Sequence, residues 1–556
     1  MPVPASSVPP LGRHLSADRV LAIARALPRM RALRRANPGS YDGAYLKGAT
    51  RWQVSFFSRK GAKEIGQVIV ADETGRVLEQ WTGFQVAWSM ARGYPGAFGR
   101  HVNALYIWLP LCLLFAVPFV NPRRLFSLLH LDLLVLVSFS ISLAFFNHGE
   151  IYKSVPLAYP PLIYLFGRML WMTRRRARPG PPLKLLVPVP WLVLGVMFLL
   201  GFRIALNVID SNVIDVGYAG VIGAHKIVDD RPLYGSWPAD NEHGDTYGPV
   251  TYESYVPFQQ VFGWSGNWDD LPAAHAAAIV FDLLALGLMF LLGWRIRGPT
   301  LGVALAYAWV SYPFTLFVLE SNSNDTLVAV FLLGALLFAS SPPVRGAFAA
   351  LAGLAKLAPL ALAPVLATHG LRGLTPLRRA RALGLFGLTF ALVGALASIP
   401  ALDHDSLHRI FERTIVYQAN RGSPFSVWGL YGGHAALHGL ETAVQIGAVV
   451  LAVVLALAPR REDVVGLAGA CGAILLALQL GVEHWFYLYI PWFFPLVMVA
   501  LLGAAALAGP APRAPAEGAP AEGAPTEPAP ARAGEPDGAS APARSHPLVA
   551  AWSSSG

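Results

Sequence analysis

Asp215 stands just past the apolar stretch Leu186–Leu206, at the head of a long polar loop. The loop reads Val-Ile-Asp215-Val-Gly-Tyr218-Ala-Gly and continues through Arg231-Pro-Leu-Tyr234-Gly. A carboxylate at a membrane surface, beside aromatic and glycine-rich segments, is placed to take a proton from a hydroxyl group. Two cations are candidates to act with it. Arg421, in Gln418-Ala-Asn-Arg421-Gly-Ser-Pro-Phe-Ser, offers a guanidinium that binds phosphate in a forked way. Lys356 interrupts an apolar segment, and an ionisable residue at membrane depth is a functional candidate by default. A snorkelling lysine is the plainer alternative. A base, a cation facing a departing phosphate and a membrane-level groove are what sugar transfer from a lipid phosphate requires. Asp325 and His484 are second-rank candidates. Asp325 opens a helix, where the dipole favours a carboxylate, so N-capping accounts for it without chemistry.

The elements that must position these groups are membrane helices. Apolar residues make up 54% of the 556 residues and charged residues 14%, with a mean hydropathy of +0.48. A span needs about 20 mostly apolar residues, and about eleven segments qualify by that criterion. The net charge of +10 reflects arginines beside the spans, as the positive-inside rule expects, and gives no ground for nucleic-acid binding. Cys112 and Cys471 both fall inside apolar spans, so neither a disulfide framework nor a metal cluster is expected. No secretory signal pattern opens the sequence. The Gly-x-Ser-x-Gly elbow, Walker A and His-Glu-x-x-His motifs are absent. His243 with Asp240, Glu242 and Asp245 matches no metal-ligand spacing and reads as a solvated acidic loop. No metal site and no cofactor are expected, and the sequence leaves a need for a divalent metal open.

Four regions follow. Residues 1–100 read as a small α+β module: a helix capped by Ser16, then strands around Trp52–Phe57 and Gln67–Val70, with the turn Asp72-Glu-Thr-Gly75. Their order resembles a PepSY-type module over residues 16–85. Residues 101–180 supply three accessory spans, 181–508 a catalytic core, and 509–556 an Ala/Pro/Glu-rich tail expected to be disordered. Segment 346–368 has arginines on both flanks, so a pair of half-helices broken near Lys356 and Pro359 suits it better than one crossing. Counting spans from the arginines at 174–178 puts Asp215, the polar loops 207–272 and 401–436, and the module outside, and the tail in the cytoplasm.

The succession Asp215-x-x-Tyr218, Arg231-Pro-Leu-Tyr234, Tyr247-Gly-Pro249, Ala355-Lys356-Leu-Ala-Pro359 and Gln418-Ala-Asn-Arg421 resembles polyprenol-phosphate-sugar-dependent GT-C glycosyltransferases. Among these it is most similar to glycosyltransferase family 87, which includes bacterial mannosyltransferases. The resemblance covers about residues 185–507. It implies an all-α polytopic fold of about 11–13 membrane helices, bearing here a small α+β module and a disordered tail. It also implies inverting transfer of a hexose, mannose by analogy, from a polyprenyl-phosphate donor to a glycan or glycolipid acceptor of the envelope, in a bacterial-type cytoplasmic membrane. Asp215 matches the family's catalytic base. Arg421, Lys356, Tyr218, Tyr234, Tyr247, Gln418, His484 and Asp325 are then candidates for the donor phosphate or substrate. A transporter or flippase of envelope lipids is the alternative, with Asp132 and Asp282 as relay groups.

Overall fold

The computed structural model describes residues 2–507 except 49, 61–62, 87–98, 175–182, 269, 432–434 and 459–460. The arginines at 175–178 and the tail 509–556 therefore lie outside the described residues. The N-terminal module begins with helices α1 (Ala17–Ala26) and α2 (Pro28–Ala36). Ser16 caps α1 as expected, accepting from the Arg19 N–H. A five-stranded antiparallel sheet follows in the order β1 (Pro2–Val3), β2 (Tyr41–Lys47), β3 (Arg51–Phe57), β4 (Glu64–Ala71) and β5 (Val77–Thr82). Trp52, Val54 and Phe56 alternate inward along β3, the period-2 pattern of a half-buried strand. Asp72 ties the turn to the helical layer, accepting from the His14 and Leu15 N–H groups and from Trp52 Nε1. Strand β2 escaped the sequence reading because Asp42 and Gly43 weaken its β-propensity.

Among the described residues, seven helices are long and apolar enough to cross a membrane: Leu128–Asn147, Val189–Asp210, Pro272–Arg297, Pro376–Leu396, Ala436–Leu457, Val464–Gly481 and Tyr487–Ala504. An eighth candidate is the pair Pro299–Ser311 and Pro313–Glu320, bent by 56° at Tyr312, where one straight span was expected. The bend sits before Pro313, which has no N–H to continue the helix. Three shorter apolar helices join them: Leu105–Phe119, Thr326–Leu337 and Ala358–Thr368. The 346–368 segment does break at Lys356, between the helix Pro342–Ala355 and the 3₁₀ turn Ala358–Leu362.

The module and the Asp215 end of the bundle share one face. Trp81 packs on Gly149, just past the end of Leu128–Asn147. Trp108 Nε1 bonds Ser140 Oγ at 2.8 Å, which sets the start of the Leu105 helix beside the C-terminal half of that span. His101 just upstream pairs with Asp210, at the end of the Val189 helix that leads to Asp215.

Candidate active site

Asp215 is the first residue of the helix Asp215–Val228, where the N-terminal dipole favours negative charge. Two chain segments pin this helix end. The Ile214 N–H bonds Ser321 O at 2.9 Å, and Asn324 Nδ2 bonds Val216 O at 3.0 Å. Gly217 makes the approach possible: a Cβ there would stand 2.1 Å from Asn322 O, closer than any side chain allows. The loop Ser211–Ile214 is thereby knotted to Ser321–Asp325, with Asn207 and Asn322 bridging at 2.8 Å.

A second close approach brings up Lys356. At Gly248 a Cβ would lie 1.9 Å from Leu354 O, and Thr251 Oγ1 donates to Ala355 O at 2.6 Å. The short helix Pro249–Glu253 therefore seats on the end of Pro342–Ala355, and Lys356 Nζ lies 4.1 Å from the Tyr247 ring centroid, a cation–π distance. Lys356 Nζ is also 3.5 Å from Asp325 Oδ1. Asp325 does not use its carboxylate to cap the Thr326 helix. It accepts from Trp492 Nε1 at 3.0 Å and from Ser323 Oγ instead, so the capping explanation gives way to a buried polar cluster.

Arg421 and Lys356 both act electrostatically on Asp215, and Arg421 also senses Tyr489, Tyr247 and Tyr417. Asp215 is enclosed deeply enough that burial raises its carboxyl above the usual aspartate range. Arg421, the Val216 N–H and Lys356 pull it back down, and the net direction is up. Yet Asp215 keeps partial accessibility. His484 accepts from or donates to Ser423 Oγ at 2.7 Å. Burial, then the positive charges of Arg421 and Lys356, hold its imidazole well below its ordinary value, which keeps it neutral near pH 7.

Asp215, Tyr247, Asp325, Lys356, Arg421 and His484 thus come together from across the chain. Tyr234 is a support: its hydroxyl donates to Tyr247 O at 2.9 Å, and its N–H is held by Asp405 Oδ2 at 3.0 Å. Tyr218 turns away and packs on Trp268 at 4.8 Å and Trp264 at 5.8 Å. Gln418 is half-buried on the short helix Tyr417–Asn420. Asp210, the nearest rival to Asp215, is taken up by His101. Tyr489, Trp492 and Asn241, whose amide donates to Asp215 O at 3.0 Å, are not among the residues expected from the sequence. Asp245, expected in a solvated acidic loop, is instead buried, accepting from the Gly235 N–H and facing Arg413 at 3.5 Å. Aromatics opening an apolar span carry no mark that separates a site from an interfacial belt. Among the described residues no group of three or more His, Cys, Asp or Glu is arranged to hold a metal ion.

The chain is thus a multi-pass helical protein with a buried cluster of acidic, basic and aromatic groups at one end of its bundle. Residues 246–481 match the family model described as Glycosyltransferase family 87. Over that segment, somewhat less than half of the chain, it is similar to glycosyltransferase family 87. Tyr247, Asp325, Lys356, Gln418 and Arg421 lie within the match, whereas Asp215, Tyr218, Tyr234, His484 and the N-terminal module lie outside it. No curated protein and no solved structure matches the chain.

Proposed function

We propose that the chain transfers a hexose, mannose being the expected sugar, from a polyprenyl-phosphate donor to a glycan or glycolipid acceptor of the cell envelope, on the extracytoplasmic side. The observation that carries this reading is the convergence of Asp215, Arg421, Lys356 and Tyr247 in one cluster. Asp215 is the general base. Its raised carboxyl makes it a stronger acceptor than an ordinary aspartate, and it stays accessible to an incoming hydroxyl. The acceptor oxygen then attacks the anomeric carbon, and the C–O bond to the phosphate breaks. Arg421 and Lys356 face the phosphate as it departs with the bonding pair and gains negative charge. The Tyr247 ring, already beneath the lysine, forms a wall for the sugar.

The carrier alternative needs mobile intramembrane acids. Asp132 instead holds Arg168 at 2.9 Å and the Tyr164 hydroxyl at 2.8 Å, and Asp282 holds Arg203 at 2.5 Å. Both pairings favour a structural role for these acids. The deciding experiment incubates purified protein with a panel of polyprenyl-phosphate sugars and candidate acceptors. Turnover by the native chain, abolished in Asp215→Asn, supports the proposal. Turnover retained in that variant overturns the role of Asp215, and no turnover with any donor overturns the donor class.

A further inference from the structure

Residues 2–86 hold thirteen lysines and arginines against six acidic residues, and cations stand at both ends of the sheet. At one end the acids Asp18, Asp72 and Glu73 are interspersed with Arg13, Lys47, Arg51 and Arg76. At the other end lie Tyr41, Phe57, Glu64 and Thr82. The antiparallel register sets Tyr41 opposite Phe57, Phe57 opposite Glu64 and Gly66 opposite Thr82. Helix α2 crosses this second end with Met30 and Leu33 against Gly66.

This second end is also the docked end. Trp81 packs on Gly149, Gln85 Nε2 donates to Gly149 O at 3.1 Å, and the Phe84 ring meets Tyr152 at 6.0 Å. Gly149 follows the span Leu128–Asn147 by two residues, so this end of the module stands at the membrane surface. Here Arg31, Arg34, Arg35, Arg59, Lys60 and Lys63 are all exposed. The acids nearby are committed elsewhere: Asp42 forms a two-point pair with Arg25 at 2.7 Å, and Glu64 accepts from Gln67 at 3.3 Å. Tyr41, 51% exposed, stacks on Phe57 at 5.3 Å beside the cations.

We infer that this end of the module docks on anionic phospholipid headgroups of the leaflet beside the Asp215 cluster. Cations within a Debye length of a charged membrane are attracted to it, and a tyrosine is at home at that interface. A soluble polyanion needs a basic face turned to open solvent, whereas this one is set beside the bilayer by the Trp81–Gly149 contact. The inference is independent of the reaction at Asp215.

The test uses the full chain in nanodiscs of phosphatidylcholine alone or with phosphatidylglycerol, reading hydrogen exchange of residues 29–42 and 57–64. Exchange is expected to slow several-fold in the anionic discs and to recover in about 0.5 M salt. A variant with Arg31→Glu, Arg34→Glu and Arg35→Glu loses the protection, while exchange of residues 79–86 stays unchanged. Should that variant fail to fold, Lys60→Gln with Lys63→Gln gives a smaller loss of the same kind. Equal exchange in both discs overturns the inference. So does protection that appears only when a soluble anionic polysaccharide is added to phosphatidylcholine discs.

Discussion

Two buried charge clusters in this molecule hold the same kinds of group and differ in what those groups are left to do. In the first, Arg203 meets Asp282 at 2.5 Å and also donates to Trp309 O, Val310 O and Thr315 Oγ1. Trp309 Nε1 donates back to Asp282 at 2.9 Å. Both residues are sealed inside the helix bundle. In the second, the nearest ion pair, Lys356 with Asp325, is 3.5 Å long. Asp215 feels Arg421 and Lys356 only through space and keeps an opening to solvent. A short pair sealed in the bundle is closed to any ligand and fixes helix packing. A loose set of charges is costly to the fold unless something binds there. Tightness of pairing therefore separates architecture from chemistry here better than burial does.

The sharpest way to break this contrast is to neutralise each acid in turn. Asp215→Asn keeps the shape and removes the base, so turnover should fall by about 10²–10⁴-fold with thermal stability in detergent unchanged. If stability falls with turnover, Asp215 is a packing residue and the contrast fails. Turnover of the native chain should also be lost as pH falls and Asp215 gains a proton. Because its carboxyl is raised, that acid limb should lie at higher pH than for an ordinary aspartate, as a pH–rate profile would show. Asp282→Ala should do the reverse. Stranding Arg203 in the bundle should cost about 3–5 kcal/mol, seen as a lowered melting temperature or loss of the folded protein, with activity lost only in proportion. Arg421→Gln should come next. Losing a charged partner for the donor phosphate is worth about 1.5–3 kcal/mol, or roughly tenfold to a hundredfold in kcat/KM, again at constant stability.

How far these distinctions were legible in the sequence depends on the residue. Lys356 and Arg421 could be found because a charge in or beside apolar sequence breaks the pattern. Asp215 and Asp210 could not be told apart by position, since five residues separate them on one loop. Only the fold shows His101 taking one and leaving the other open. Tyr218 looked like a neighbour of Asp215, but the helix that begins at Asp215 carries it into the Trp264 and Trp268 cluster. The close approaches at Gly217 and Gly248 join segments about a hundred residues apart. A glycine in a sequence does not say which backbone it will meet. The bend at Tyr312 was hidden by an unbroken apolar run, although Pro313 stood in plain view.

Asp325 lies between the two clusters in character, and it offers the finest test. Its Oδ1 is shared by Trp492 Nε1 at 3.0 Å and Lys356 Nζ at 3.5 Å. The indole thus takes part of the negative charge that would otherwise draw the lysine in. Trp492→Phe keeps the ring and removes that N–H. The carboxylate should then hold Lys356 more closely, converting the loose pair toward the tight Arg203–Asp282 type and withdrawing the ammonium from the donor phosphate. One neutral donor is worth about 1 kcal/mol, so KM for the lipid donor should rise about fivefold, with kcat falling as far as the lysine also serves the departing phosphate. Lys356→Met combined with Trp492→Phe should then add little to the loss from Lys356→Met alone, because the tryptophan acts through the lysine. Full additivity of the two changes in donor KM would mean that Trp492 works independently of the ion pair.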